Sequence, residues 1–114
     1  MEKAKVYVLR NFCGNDLAVS TDRKAFGRYA FDDTYEIGVI EAPIINGIPV
    51  VFRFLQKNVE EEIMFIERDA YGCWEAPLPP CQIFCENMNT LKDLVVASIG
   101  RRPRKDEIKM VFVK

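Results

Sequence analysis

The chain has 114 residues, 49% of them apolar, with 16 basic and 17 acidic side chains and a formal net charge of -1. This length is typical of one domain, so we expect a single domain over residues 1–114. Intrinsic disorder requires low hydrophobicity together with high net charge, and the chain has neither. The balanced charge also argues against a dedicated nucleic-acid binder, whose affinity comes mainly from neutralising phosphates.

The sequence has no apolar run long enough to span a bilayer and no signal-peptide pattern near its start, so we expect a cytoplasmic protein with reduced thiols. It contains no histidine. That removes the commonest general base, the commonest metal ligand and the usual partner of a Ser or Cys nucleophile. No phosphate loop, dinucleotide motif or nucleophile elbow is present either. We therefore assign no catalytic residue and no cofactor, and binding is favoured over catalysis.

The first third of the chain predicts a strand, a short second strand and a helix. Residues 5–10 (KVYVLR) are β-branched or aromatic with apolar positions on both faces, which is typical of a central strand. Residues 17–19 form the short strand. Ser20 or Thr21 is the expected N-cap of the helix, which Gly27 weakens. Its apolar stripe comprises Ala25, Phe26, Tyr29 and Ala30.

The middle of the chain predicts a hairpin, because residues 34–45 and 48–56 flank Asn46-Gly47, the preferred pair for a type I′ turn. Pro49 faces Ile44 as a non-bonded pair, so it loses no bond within the hairpin, but it cannot donate to a third strand. We therefore expect a sheet edge near the turn. Pro43 falls on a bonded position, which indicates that the pairing is interrupted there.

The rest of the chain predicts a further strand at 63–67 that continues a meander, an extended loop at 69–80 and a second helix capped by Asn89 or Thr90. Gly100 ends this helix, and the strand 107–114 follows. The apolar stripe of the helix comprises Leu91, Leu94, Val95, Ser98 and Ile99. The predicted order is β-(β)-α-β-β-β-α-β: an α+β, two-layer domain with a mainly antiparallel sheet of about five strands and two helices on one face.

Three groups of residues are candidates for function. The basic segment 101–105 is more cationic than a helix C-terminus requires, and arginine forks suit phosphate groups. With Arg28 and Arg53, this segment predicts an anionic-ligand site, although its charges also stabilise the helix end. The cationic members of the segment are Arg101, Arg102, Arg104 and Lys105.

The second group is Tyr71, Trp74 and Leu78, in a Pro-rich stretch that is typical of a contact surface. The alternative is that Trp74 and Leu78 cover an open end of the core. The third group is Cys73, Cys81 and Cys85, whose spacing is only weakly typical of a zinc site. The alternative is that each cysteine is a small buried apolar side chain.

These observations favour a non-catalytic binding module that acts through protein–protein contact, including self-association, because an incompletely protected sheet edge invites strand addition. The alternative is a binder of a phosphate-bearing small ligand, or less favourably of nucleic acid, through segment 101–105. A cysteine-ligated zinc domain ranks below both.

Overall fold

The computed structural model describes residues 2–11, 14–57, 63–67, 73–77 and 81–113. Its strands are β1 (Lys3–Asn11), β2 (Asp16–Ser20), β3 (Tyr35–Ile45), β4 (Ile48–Leu55), β5 (Ile63–Glu67), β6 (Cys73–Pro77), β7 (Gln82–Cys85) and β8 (Ile108–Phe112). Its helical segments are a 3₁₀ segment (Arg23–Phe31), α1 (Met88–Ile99) and a 3₁₀ turn (Lys105–Glu107). A curled antiparallel sheet carrying two longer helical segments makes this an α+β fold, as predicted.

The curl of the sheet originates at β4, which has neighbours on both edges. The sheet order is β2-β1-β3-β4-β7, with β8 also paired to β4. β3 touches β4 only beside the hairpin turn, whereas β7 pairs with Phe52–Leu55 further along the same strand. β3 and β7 thus share one edge of β4, and β8 occupies the other. As a result, β7 comes close to β2 and the sheet bends back on itself.

The two faces of the curled sheet bury separate cores. The inner core packs β1 and β3 against β4, β7 and the end of β8, and its buried members are Val6, Val8, Ala42, Val51, Phe84 and Val113. The outer core lies under α1, and its buried members are Phe54, Ile83, Cys85, Leu91 and Val95. The 3₁₀ segment also lies against the outer face, beside Tyr7 of β1. Both longer helical segments therefore sit on one face of the sheet, as expected.

The hairpin prediction is confirmed in its turn and in its interruption. Asn46 and Gly47 have φ values of 54° and 79°, as a type I′ turn requires. The pairing of β3 with β4 is limited to Ile44–Pro49 and Ile45–Ile48. The part of β3 that precedes it, residues 35–43, pairs with β1 instead.

The predicted edge at β4 is wrong. β8 pairs with β4 from Val50 onwards, and the N–H of Val113 donates to the carbonyl of Pro49 at 2.9 Å. Pro49 tolerates this neighbour because it has to accept a hydrogen bond there, not donate one. Among the described strands, none pairs with the outer edge of β8, so this edge is open.

The first predicted helix is instead a 3₁₀ segment that is broken at Gly27, where φ is 58° and ψ is -132°. Its N-cap is Asp22, whose carboxylate accepts from the N–H of Lys24 at 2.9 Å, and not Ser20 or Thr21. Only Phe26 of the expected apolar stripe is buried. The glycine interrupts the helix because its backbone adopts a conformation that other residues avoid.

The second predicted helix is confirmed, but it starts earlier than expected. Asn87 is the N-cap, and its side chain accepts from the N–H groups of Asn89 and Thr90, the two residues predicted as caps. Gly100 ends the helix in the left-handed conformation, with φ of 75°. Leu94 is exposed although it lies in the predicted stripe, because the outer core receives Leu91 and Val95.

Three predictions for the region between β4 and α1 need correction. β5 is a strand as predicted, but it pairs with β6 and not with β4 as a meander would. Residues 73–77 of the predicted loop form β6. β7 has no counterpart in the prediction, because four residues are too few to show a period.

Candidate functional site

The basic segment 101–105 is organised around the carboxylate of Glu107, which is only 2% exposed. The guanidinium of Arg101 donates to both carboxylate oxygens of Glu107, at 2.8 and 2.9 Å. The backbone N–H groups of Arg104 and Lys57 donate to the same carboxylate at 2.8 and 3.0 Å. The Arg101 hydrogen bonds, together with those from the two N–H groups, lower the pKa of Glu107 to about 2.

This arrangement assigns a structural role to part of the predicted ligand site. Arg101 is bound bidentately to Glu107, and it also donates to the carbonyl of Arg102 at 3.1 Å. The side chains of Arg102, Arg104 and Lys105 remain exposed. A sequence signal was present, because a Glu three residues after a turn residue, directly before an apolar strand, has capping-box spacing.

The predicted cationic residues do not line a common concavity in the described part of the chain. Arg102 borders a groove beside α1, together with Lys92 and Asp93. Arg28 lies exposed on the 3₁₀ segment, with its guanidinium 5.3 Å from the ring centroid of Tyr29. Arg53 lies elsewhere, on the inner face of β4.

Arg53 borders a cavity of about 50 Å³ next to Glu107. Its direct neighbour across the β4–β8 ladder is Lys109, so two positive charges lie opposite each other. The Nε atom of Arg53 is buried, and no described residue accepts a hydrogen bond from it. The residues that line this cavity are Arg53, Leu55, Lys57, Asp106, Glu107 and Lys109.

A second buried carboxylate, Asp16, connects β2 to β7 and was not identified from the sequence. Its side chain accepts from Arg10 Nε and from the N–H of Phe84, both at 2.8 Å, and its carbonyl accepts from Gln82 at 2.7 Å. Arg10 in turn lies over Gly38, where a Cβ would be 2.9 Å from the guanidinium carbon. Burial raises the pKa of Asp16, and the two hydrogen bonds only partly offset this effect. Asp16 thus holds the curl of the sheet closed.

The cysteines in the described part of the chain have the environment of core residues. Cys85 is a buried member of the outer core, and Cys81 is partly buried against the same core. Burial raises the pKa of both thiols, which is opposite to what a reactive thiolate requires. Among the described residues, no group of three or more potential ligands could hold a metal ion. The side chain of Cys73 lies outside the described residues.

The apolar surface of the described chain includes an unpaired strand edge. Met110 and Phe112 of β8 are 52% and 48% exposed, and no described strand pairs with the outer edge of β8. Of the predicted contact residues, Tyr71 and Leu78 lie outside the described residues, and Trp74 is placed only by its backbone pairing with Ile66.

Comparison with protein-family models, curated proteins and solved structures finds no match. No described helix is both long and apolar enough to cross a membrane.

Proposed function

We propose that this chain is a non-catalytic protein-binding module that accepts a partner's β-strand on the open edge of β8, and that a second copy of the chain can supply this strand. The observation that carries the proposal is the combination of unpaired backbone groups and exposed apolar side chains on β8. Strand addition at such an edge derives its affinity from main-chain hydrogen bonds and its specificity from alternate side chains.

The register of the sheet defines which backbone groups are free. Bonded and non-bonded pairs alternate in an antiparallel ladder, and Val113 donates to Pro49. Lys109 and Val111 therefore direct their N–H and C=O groups towards β4. Met110 and Phe112 direct theirs outwards, and so does the carbonyl of Ile108, whereas the N–H of Ile108 donates to the carbonyl of Lys105.

The outward residues also suit self-association. A second β8 related by a two-fold axis at Met110 would place Met110 against Met110 and Ile108 against Phe112. Lys109, the one charge on this strand, would face Val111 and not a like charge. The exposed apolar side chains and the outward N–H groups of Met110 and Phe112 would then be satisfied together.

The test measures mass and amide exchange as a function of protein concentration. We expect the mass to rise above 13.2 kDa with concentration, as measured by sedimentation equilibrium. In dilute protein, the amides of Met110 and Phe112 should exchange faster than those of Lys109 and Val111, and they should become protected on association.

Met110→Lys should abolish association, because two lysines would meet at the two-fold axis. Val39→Lys provides a matched control, since Val39 is 51% exposed on β3, and it should associate like the wild type. A protein that stays monomeric at every concentration would refute self-association. If a peptide with the β8 sequence also failed to protect the outward amides of the monomer, strand addition at this edge would be refuted.

The alternative of a phosphate-bearing ligand at segment 101–105 would depend on Arg102, Arg104 and Lys105, because Arg101 is engaged by Glu107. The exposed side chains of these three residues leave that hypothesis testable by their replacement with Ala. The two cationic side chains of Arg53 and Lys109, which line the small cavity next to Glu107, support a different location for an anion.

A further inference from the structure

The cavity beside Arg53 contains more positive charge than its own carboxylates neutralise. Glu107 is already bound by Arg101 and by two backbone N–H groups. Asp106 lies 3.5 Å from Lys57 Nζ. In the described part of the chain, neither Arg53 nor Lys109 has an ion-pair partner. Two cationic side chains on the cavity wall are therefore uncompensated.

The arrangement of these two side chains is electrostatically unfavourable. Arg53 and Lys109 are direct cross-strand partners, and like charges at such positions destabilise a sheet. The buried Nε of Arg53 also has no acceptor among the described residues, although buried polar groups are normally hydrogen-bonded. An anion bound by the guanidinium of Arg53 and the ammonium of Lys109 would remove the repulsion between them.

We propose that this cavity binds a phosphate-type oxyanion, either inorganic phosphate or the terminal phosphate of a small molecule. Arginine presents a planar fork of donors to such a group, and lysine adds a point charge. The cavity is small, with a volume of about 50 Å³, so it suits a compact group such as a single phosphate and not a larger ligand. The body of a larger ligand would stay outside, on the side of the exposed Lys109.

This site is distinct from the predicted site at segment 101–105. Arg101 neutralises the Glu107 carboxylate and thereby limits its repulsion of an anion, but it is not expected to contact the ligand. The binding groups are Arg53 and Lys109, which come from neighbouring strands. The site also lies on the opposite face of β8 from the exposed apolar side chains, because Lys109 is on the inner face whereas Met110 and Phe112 are on the outer face.

The protein is titrated with sodium phosphate, and sodium chloride at equal ionic strength is the control. Binding is monitored by the chemical shifts of backbone amides and by the temperature of thermal unfolding. We expect saturable shifts around Arg53 and Lys109 with Kd near or below about 1 mM, and a higher Tm in phosphate only. Glycerol phosphate is compared with inorganic phosphate: tighter binding of the ester assigns the site to a small-molecule ligand, and tighter binding of the free ion assigns it to inorganic phosphate.

Replacing the cations separates this site from general charge effects. Lys109→Met should weaken phosphate binding at least about tenfold, a loss of ~1.4 kcal/mol, yet raise the Tm of the phosphate-free protein by ~1–5 °C because the repulsion of Arg53 is removed. Arg53→Met should also weaken binding. Lys92→Met, which removes an exposed cation from α1, should leave both quantities unchanged. Equal effects of chloride and phosphate, or an unchanged phosphate response in Lys109→Met, would overturn the proposal.

Discussion

Replacing Glu107 by Gln removes the charge that holds the segment between α1 and β8. The carboxylate is 2% exposed, and it accepts hydrogen bonds from Arg101, Arg104 and Lys57. These donors lower its pKa from 4.5 to about 2. At ~1.4 kcal/mol per pKa unit, this shift corresponds to about 3 kcal/mol of stability at neutral pH. Glutamine retains one acceptor oxygen but directs an amide N–H group at a donor.

The pH dependence follows from the direction of the shift. Because the folded pKa lies below the unfolded value, the contribution of Glu107 is fully present above pH 4.5 and is lost as the pH falls through about 2. We therefore expect Glu107→Gln to be about 2–3 kcal/mol less stable than the wild type at neutral pH, and the difference to shrink towards zero near pH 2. Urea unfolding followed by far-UV circular dichroism at a series of pH values measures this difference.

Asp106→Asn is the matched control, because Asp106 is adjacent in the chain but its side chain is 64% exposed. Its replacement should change the free energy of unfolding by less than about 0.5 kcal/mol. A difference between Glu107→Gln and the wild type that stays constant with pH would show that the charge of Glu107 is not what stabilises the fold. A loss below about 1 kcal/mol at neutral pH would refute it as well.

Three further substitutions test the closure of the sheet and the start of α1 by urea unfolding. Asp16→Ala should cost about 2–4 kcal/mol, because it leaves a buried N–H of β7 and the guanidinium of Arg10 without their acceptor; a loss under about 1 kcal/mol would contradict this role. Gly38→Ala should lower the free energy of unfolding by about 1–3 kcal/mol, because the new methyl group would meet the guanidinium of Arg10. In an Arg10→Ala background the same substitution should cost almost nothing, and equal losses in both backgrounds would show that the two residues are uncoupled. Asn87→Ala should cost about 1 kcal/mol and Asn89→Ala little, and the reverse order would assign the cap to Asn89.

The features predicted correctly depend on residues that are close in the chain. The turn at Asn46-Gly47 forms because both residues tolerate positive φ, and Gly100 ends α1 for the same reason. The interruption at Pro43 follows from its missing N–H group. Neighbouring residues alone determine such steric preferences, so a single sequence is sufficient to predict them.

The prediction of neighbouring strands in the sheet was wrong because strand pairing depends on segments that are distant in the sequence. Pro49 cannot donate to a third strand, yet it accepts a hydrogen bond from Val113, and nothing local to Pro49 distinguishes these two cases. The same limit explains why β5 was expected to pair with β4 and pairs instead with β6. A strand's period shows which residues share a face, but not which strand lies beside it.

One sequence was thus sufficient to predict the α+β class, the central hairpin, the second helix and the basic segment 101–105. Which of these charges form ion pairs depends on the folded chain. Glu107 reaches back 50 residues to Lys57, and Asp16 reaches forward 68 residues to Phe84. Carboxylates of this kind look like surface residues in a sequence, because their burial depends on donors that only the folded chain brings together. The fold likewise leaves the outer edge of β8 without a described partner strand and places Arg53 opposite Lys109, and the two proposals follow from these features.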